Sequence, residues 1–271
     1  MEPAAAPPTT APQPIADARG VVFDFGRVLG AELIGTAVLV LCGVGAIVLG
    51  GETLGVLGVA LAFGFALLVM MFVVAPVSGC HLNPAVTLAM LIAQRVSAKH
   101  ALYAVIGQVI GAFAGAAIVW GIASGRPAWV RGSFGANGWD RSGFSGLGST
   151  MVVEIVFTAL LVLVMLIVTS RVVDAEIAGP AVGLTYALAH LVTYTIDGTG
   201  LNPVRSLAAA AFADTDPNAL GQVWAFIVFP LVGAVVGVVL WLVIDDSRLE
   251  DTMLDTDFLR ATRDSADNLV D

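Results

Sequence analysis

The sequence predicts an all-α membrane protein with six transmembrane helices and two re-entrant half-helices, built as an inverted three-helix repeat around a central pore. Three observations predict this fold. The composition is membrane-like, six apolar runs are long enough to cross a bilayer, and two polar turns each place Asn-Pro before a short apolar run. A helix that begins inside a membrane exposes backbone N–H groups, which are tolerated only beside protein or a water-filled cavity. The two turns, at 78–87 and 198–206, therefore indicate a pore.

The composition limits the class of protein. Of the 271 residues, 58% are hydrophobic and 12% are charged, whereas soluble domains carry about 25% charged residues. The net charge of −9 comes largely from an acidic C-terminal tail, residues 245–271, which holds nine acids and three arginines. A low-charge body with an acidic end argues against nucleic acid as a partner. Cys42 and Cys80 lie in apolar or pore-like segments and do not indicate a disulfide framework.

Six apolar runs of about 20 residues are each able to cross a hydrocarbon core of ~30 Å. We place these runs at 28–49, 54–77, 100–122, 150–168, 177–196 and 221–244. Two shorter runs, at 84–93 and 203–212, lie between the second and third spans and between the fifth and sixth. Ten helical residues cover ~15 Å, half a membrane, so these runs are predicted half-helices. Residues 1–27 are expected to form a disordered tail, not a signal peptide.

The basic residues predict the orientation. With six spans, eight arginines and lysines fall on one side and three in loops on the other. Basic residues mark the cytoplasmic side, so we expect both termini in the cytoplasm and the loop at 124–148 outside. Eleven arginines against one lysine favour a bacterial source, and hence the inner cell membrane.

The chain contains an internal repeat, at about 28–123 and 148–244. Residues 31–41 align without a gap with 153–163, and the aligned pair Glu32 and Glu154 is shared. Three spans per copy invert the second copy, so the half-helices meet near the midplane. We expect each glutamate to accept N–H bonds from the re-entrant loop of its own half. The alternative is that they carry protons in a coupled transporter.

Each half-helix begins with a matched capping sequence. The two sets are Asn83, Pro84 and Ala85, and Asn202, Pro203 and Val204. Asn is a good N-cap, and Pro at the first helical position has no N–H to leave unpaired. An ordinary loop cap is the alternative interpretation. If the caps leave both amides free, these donate to a molecule passing between them, while the positive helix ends repel cations.

With these motifs the chain resembles the aquaporin (major intrinsic protein) family over about 28–244. The patterns SGxHxNPAVT and GxNPxRS match, as do the two glutamates, Tyr103, Gln108 and Gly111. The resemblance implies a passive channel without enzyme activity, cofactor or metal. It also implies a homotetramer with one pore per subunit, with the lipid bilayer as partner and water as permeant.

The family's selectivity filter falls, by position, on four residues of this chain. They are Phe63, His190, Thr199 and Arg205. This set resembles the water-selective bacterial subgroup, whereas glycerol-conducting members have a small residue in place of His190. We expect Phe63 and His190 to project bulk into the pore, and His190 and Arg205 to offer donors, leaving an opening about one water wide. A core aromatic and a satisfied buried histidine are the alternatives, whereas an arginine at membrane depth is functional by default.

The unwound backbone before each Asn is expected to direct carbonyl groups into the lumen, opposite an apolar wall. The residues are Gly79, Cys80, His81 and Leu82, and Gly198, Thr199, Gly200 and Leu201. Cys80 lies three residues before Asn83, as Thr199 does before Asn202, so we expect Cys80 to line the inner vestibule. The alternative is a small buried apolar residue.

Other functions remain open from the sequence. Within the family, the runner-up is a facilitator for glycerol, urea or ammonia, and Val204, where most members have Ala, can shift the Asn amides or change the aperture. A coupled transporter would need a titratable site at the midplane, where the chain has Asn amides. An intramembrane enzyme would need a Ser–Lys pair, paired aspartates or a His cluster, and the sequence offers none of these.

Overall fold

Nine α-helices form the described part of the chain. The computed structural model describes residues 25–139, 146–169, 175–214, 219–245 and 252–253, without the side chains of Glu52 and Ala175. The helices are α1 Phe25–Gly45, α2 Gly51–Ser78, α3 Pro84–Ile92, α4 Ala98–Ala123, α5 Leu147–Val168, α6 Ala175–Asp197, α7 Pro203–Phe212, α8 Ala219–Gln222 and α9 Ala225–Ile244. A π-helical turn, Ala46–Gly50, joins α1 to α2, and no strand occurs within these ranges.

Six helical segments are long and apolar enough to cross a membrane. They are Phe25–Gly50, Thr53–Ser78, Ala98–Ala123, Leu147–Val168, Glu176–Asp197 and Ala219–Ile244. Each predicted span is confirmed, with ends that differ by three residues at most. Large apolar side chains such as Leu57, Phe72 and Val156 are exposed on the outer surface, as lipid contact requires. The predicted tails, 1–27 and 245–271, lie outside the described residues except for 25–27, 245 and 252–253.

Glycines allow the long helices to cross at backbone contact. A Cβ atom at Gly107 or Gly111 of α4 would lie 2.4 or 2.2 Å from a carbonyl oxygen of α1. At Gly233 of α9 it would lie 2.6 Å from a carbonyl oxygen of α5. At Gly64 and Gly183, where α2 crosses α6, it would lie 2.6 Å from the other glycine's oxygen. The α1–α4 and α5–α9 contacts are thus the same packing in two copies, with α2 against α6 between them.

The two half-helices start at the predicted residues. Asn83 precedes α3 and Asn202 precedes α7, both with extended backbone, and a proline fills the first position of each helix. α3 ends at Ile92, one residue before the prediction, and α7 ends at Phe212 as predicted. These two short helices and the loops that precede them position the site.

Candidate functional site

Each Asn side chain caps its own half-helix. The Asn83 Oδ1 atom accepts a hydrogen bond from the N–H of Ala85 at 2.9 Å. The Asn202 Oδ1 atom accepts from the N–H groups of Val204 at 3.2 Å and Arg205 at 3.3 Å. These bonds satisfy N–H groups that otherwise have no acceptor at the helix start.

The same side chains also join the two halves of the molecule. Asn83 Nδ2 donates to the carbonyl oxygen of Leu201, and Asn202 Nδ2 donates to that of Leu82, each at 2.8 Å. The expectation that both amides are entirely free is therefore wrong. An amide NH₂ has two hydrogens, so one hydrogen of each remains for another acceptor. The carbonyls of Leu82 and Leu201 are likewise engaged across the interface, whereas the lumen-facing carbonyls of the other six loop residues stay a prediction.

The two loops have the same unusual backbone. The φ angle is positive at Gly79 (90°), Cys80 (56°) and Leu82 (49°), and at the equivalent Gly198, Thr199 and Leu201 (82°, 52° and 55°). Residues with a Cβ rarely adopt this region, because doing so stores strain. Such a loop persists only where its surroundings fix it, and in both halves the surroundings include a buried carboxylate.

Glu32 on α1 fixes the first loop through four hydrogen bonds. Its Oε1 accepts from the hydroxyl of Ser78 at 2.6 Å and the N–H of His81 at 2.9 Å. Its Oε2 accepts from the N–H of Leu82 and the side-chain amide of Gln108, both at 2.7 Å. Both oxygens are therefore occupied by donors from the loop and α4.

Glu154 on α5 fixes the second loop through backbone bonds. Its two oxygens accept from the N–H groups of Gly200 and Leu201, each at 2.7 Å. A Cβ atom at Gly200 would lie 2.8 Å from Oε1 of Glu154, so glycine is required for this close approach. The loop continues to Thr199, whose N–H donates to Oδ1 of Asp197 at 2.9 Å.

A narrow cavity lies beside the Asn pair. Its volume is about 10 Å³, close to the space that one water molecule needs. Polar lining comes from Cys80, His81, Asn83 and Asn202, and Tyr186 adds a phenol. The remaining lining is apolar: Leu39, Leu67, Val86, Leu161, Met165 and Val182. Of the eight loop residues predicted to line the lumen, Cys80 and His81 contact this cavity, which includes neither Ala85 nor Val204.

Three of the four predicted filter residues, Phe63, His190 and Arg205, form one buried cluster. The ring of Phe63 stacks on that of His190, with centroids 4.2 Å apart, and the Arg205 guanidinium lies over Phe63 at 5.1 Å. On its side facing α1, Phe63 lies against Gly43, where a Cβ atom would be 2.1 Å from the ring. The rings of Phe63 and His190 are therefore in contact, and their projection into the pore stays a prediction. The Thr199 hydroxyl lies 2.8 Å from that of Thr193.

The ring of His190 is oriented by the backbone of its own helix. Its Nδ1 atom lies 2.8 Å from the carbonyl oxygen of Tyr186. A carbonyl only accepts, so Nδ1 carries the hydrogen, and Nε2 of the neutral ring is an acceptor. The prediction that His190 offers a donor is therefore wrong for the neutral ring. Nε2 is buried and has no protein partner within the described ranges.

The loop before α5 holds Arg205 in place. Arg205 Nη1 donates to the carbonyl oxygen of Gly135 at 2.7 Å and to Oδ1 of Asn137 at 2.8 Å. The Ser206 hydroxyl donates to the same Asn137 oxygen at 2.8 Å. All these residues are buried, so the guanidinium has a fixed position beside Phe63.

Comparison with known proteins places this arrangement in a family. A family profile described as major intrinsic protein matches residues 21–241. Aquaporin Z of Brucella melitensis biotype 1 is 41% identical over 220 residues, which are 79% of this chain and 95% of that protein. The chain belongs to the major intrinsic protein family. It is therefore a membrane channel and not an enzyme, as the resemblance implied.

Two further matches support this assignment to the major intrinsic proteins. Aquaporin Z of Photorhabdus laumondii subsp. laumondii is 40% identical over 220 residues, 78% of this chain and 94% of that protein. Among solved structures, the X-ray structure of the aquaglyceroporin from Plasmodium falciparum superposes with a TM-score of 0.70 at 25% identity. That match covers 80% of this chain and 96% of the other, which confirms the predicted fold.

The sequence analysis of this major intrinsic protein missed two residues of the site. Asn137 lies 68 positions before Arg205 in an irregular loop, where no periodic pattern marks it. Tyr186 lies four residues before His190, hence on the same helix face. That spacing would have placed it beside the filter.

Proposed function

We propose that this chain is a passive water channel, driven by osmotic gradients, that excludes ions and protons. The observation that carries the proposal is the Asn pair: two caps bonded across the molecular midline, each with one amide hydrogen to spare, beside a cavity about one water wide. The relatives named Aquaporin Z support water as the permeant. We assign the channel to residues 28–244.

The mixed lining of the cavity supports rapid passage of a small hydrogen-bonding molecule. The Asn amides and loop groups offer partners to water, whereas most of the remaining lining is apolar. A molecule with few partners is bound strongly enough to enter and weakly enough to leave. Nothing in this arrangement requires a cofactor or a conformational step.

Electrostatics supports the exclusion of charge. The N-termini of α3 and α7 face each other through their Asn caps, and each helix end is equivalent to roughly half a positive charge. Arg205 adds a full charge at the filter. A cation, or an excess proton moving along the water file, meets the same sign of potential at both places.

We assign the filter to Phe63, His190, Thr199 and Arg205. Stacked rings and a fixed guanidinium leave little space at this level, which supports the exclusion of solutes wider than water. Phe63 restricts the width, Arg205 donates, neutral His190 accepts through Nε2, and Thr199 completes the wall next to Thr193.

The selectivity is tested in proteoliposomes by stopped-flow light scattering. With an impermeant osmolyte, vesicles that contain the protein should shrink quickly and with a low activation energy, whereas a glycerol gradient should dissipate slowly. The variant Phe63→Trp/His190→Gly should raise glycerol flux by about tenfold, which equals ~1.4 kcal/mol of barrier. Equal glycerol flux through the unmodified protein and the double variant would refute this filter assignment.

Charge exclusion is tested with a pH-sensitive dye inside the same vesicles. We expect water flux without proton entry in the unmodified protein, and proton or cation leakage when Arg205→Val removes the charge. Proton entry coupled to water flux in the unmodified protein would instead favour a transporter.

A glycerol facilitator is the second candidate, because the solved aquaglyceroporin from Plasmodium falciparum shares the fold. The aromatic stack and His190 argue against it, since a glycerol carbon chain needs a wider, less polar opening. Fast glycerol equilibration in the unmodified protein would favour this candidate.

We further propose a homotetramer in the bacterial cell membrane with both termini in the cytoplasm. Native mass spectrometry should find four copies of the 27.8 kDa chain. Fluorescent-protein fusions at either end should fluoresce, whereas periplasmic alkaline phosphatase should be active when fused within the loop at 124–148. A monomer, or the reverse fusion pattern, would contradict the respective proposal.

A further inference from the structure

Tyr186 lies between the filter cluster and the Asn pair. It precedes His190 by four residues on α6, about one helical turn. Its ring packs edge-on against Phe63, with centroids 5.9 Å apart at 84°, and against His190 at 4.6 Å and 76°. The same residue lines the cavity that contains both Asn side chains, which none of the four filter residues lines. Tyr186 therefore contacts the filter cluster and also lines the cavity at the Asn pair.

The Tyr186 hydroxyl has no hydrogen-bond partner among the residues that the structure describes. The residue is 1% exposed, and its oxygen makes no hydrogen bond within the described part of the chain. A buried tyrosine hydroxyl ordinarily finds a partner, because leaving it unpaired costs free energy. The adjoining cavity has room for about one water. A molecule in the lumen is thus the partner that this hydroxyl can reach.

Comparison of the two halves shows that the scaffold does not require a tyrosine at this place. Tyr186 lies 16 residues before Asn202, and Leu67 lies 16 residues before Asn83. Both line the same cavity, so the inverted repeat puts leucine where its second copy has tyrosine. The phenol adds bulk and one polar group to a wall that is otherwise formed by Leu161, Val182 and similar side chains.

We propose that Tyr186 forms a second selectivity site of the pore. Its hydroxyl hydrogen-bonds to each passing molecule, and its ring limits the width of the pore next to the filter. This inference rests on the proposed function as a pore for small neutral molecules. A water molecule must exchange one additional wall bond here, so the hydroxyl slows water. The ring restricts larger solutes even after the filter has been opened.

The first test removes the hydroxyl alone. Tyr186→Phe should raise the water permeability per channel about twofold, corresponding to ~0.4 kcal/mol of barrier, and lower its activation energy. Tyr103→Phe makes the same chemical change against Phe25, away from the cavity, and should leave both values unchanged. A water permeability of Tyr186→Phe that equals that of Tyr103→Phe, or that falls below that of the unmodified protein, overturns the hydroxyl's role.

The second test examines the ring in the opened filter. In the Phe63→Trp/His190→Gly background, adding Tyr186→Leu should raise glycerol flux about threefold more, ~0.7 kcal/mol of barrier, whereas adding Tyr103→Leu should not. Equal glycerol fluxes in these two triple variants overturn the second constriction. If the unmodified protein does not accelerate water flux, the proposed function has failed instead. If Tyr186→Leu does not fold, the Tyr186→Phe comparison decides.

Discussion

The two re-entrant loops share a backbone path but differ in how they are supported. In the first half, Glu32 accepts four hydrogen bonds, two of them from the side chains of Ser78 and Gln108. In the second half, Glu154 accepts two, both from the backbone. The matched positive φ angles show that both loops need support against strain. The two additional bonds in the first half connect Glu32 to the end of α2 and to α4, whose Gln108 also donates to Thr87 of α3.

In the second half, polar contacts instead hold the filter residue Arg205. Gly135 and Asn137 bind Arg205, and Asn137 also accepts from Ser206. This difference shows that the unpaired backbone donors of both loops require the same support, a buried carboxylate that accepts from them. Recognition of the permeant does not require equivalent contacts in the two halves, and these contacts depart from the symmetry. Four sets of substitutions test this comparison.

The largest expected effect comes from removing the carboxylates. Glu32→Ala leaves four buried donors without their acceptor and Glu154→Ala leaves two, at about 1 kcal/mol or more for each. We therefore expect both variants to lose stability, by about 4 and about 2 kcal/mol. Thermal unfolding in detergent measures this, with the exposed Glu176→Ala as control. A larger loss for Glu154→Ala would contradict the difference in support.

The next effect concerns the equivalent loop residues Cys80 and Thr199. Cys80 lines the cavity, which is about the size of one water molecule. A mercurial bound to its sulfur would therefore fill the cavity and block the path for water. We expect a membrane-permeant mercurial to block most water flux, and Cys80→Ser, but not Cys42→Ser, to abolish the block. Cys42 is exposed on α1 and serves as the matched thiol.

Combining Cys80→Ser with Thr199→Cys moves the thiol to the other half. We expect block to return, and from the opposite membrane face when an impermeant mercurial is used. Block that survives Cys80→Ser but disappears with Cys42→Ser would place the reactive thiol on the first span and refute the placement of Cys80 in the lumen.

A smaller effect is expected at Asn137. Asn137→Ala removes one of the two oxygens that accept from Nη1 of Arg205, and hydrogen bonds to charged groups contribute about 1.5–3 kcal/mol. Part of this loss should appear as a glycerol-to-water permeability ratio about fivefold higher, ~1 kcal/mol, with little change in water flux. Ser133→Ala, exposed in the same loop, is the control. An unchanged ratio would show that Asn137 is not needed to hold the guanidinium in place.

The sequence predicts what depends on local chemistry. The lengths of the apolar runs predicted the six spans. The Asn-Pro pairs predicted where α3 and α7 begin, because capping depends on residues within three positions of the helix start. The roles of Glu32 and Glu154 could be predicted because burying a carboxylate in an apolar run is unfavourable without hydrogen-bond donors. The re-entrant loop of the same half supplies such donors.

Side-chain geometry between distant segments could not be predicted in this way. Asn83 and Leu201 are 118 residues apart in the chain, and nothing local indicates that their contact uses one amide hydrogen. Phe63 meets His190 because Gly43 leaves space on the other side of the ring, which is a property of three helices at once. The tautomer of His190 likewise follows from one carbonyl contact that only the folded helix shows.

The smallest effect is expected at Val204, the departure from symmetry with Ala85. The larger side chain leaves the cross-bonds equal, at 2.8 Å for both Asn amides. Val204 is buried but lines no part of the cavity. Val204→Ala should therefore cost about 1–2 kcal/mol of stability through two lost methyl groups.

Water permeability of Val204→Ala should stay within about twofold of the unmodified protein, a barrier change below ~0.4 kcal/mol, and glycerol exclusion should persist. The reciprocal Ala85→Val adds the same bulk to a fully buried site in the first half, where overpacking costs about 1–3 kcal/mol. Thermal unfolding of both variants measures the effect on packing, and stopped-flow permeability measures the effect on the width of the pore. A severalfold rise in glycerol flux with Val204→Ala would show that this side chain sets the width of the pore, and that the asymmetry of recognition extends to the Asn pair itself.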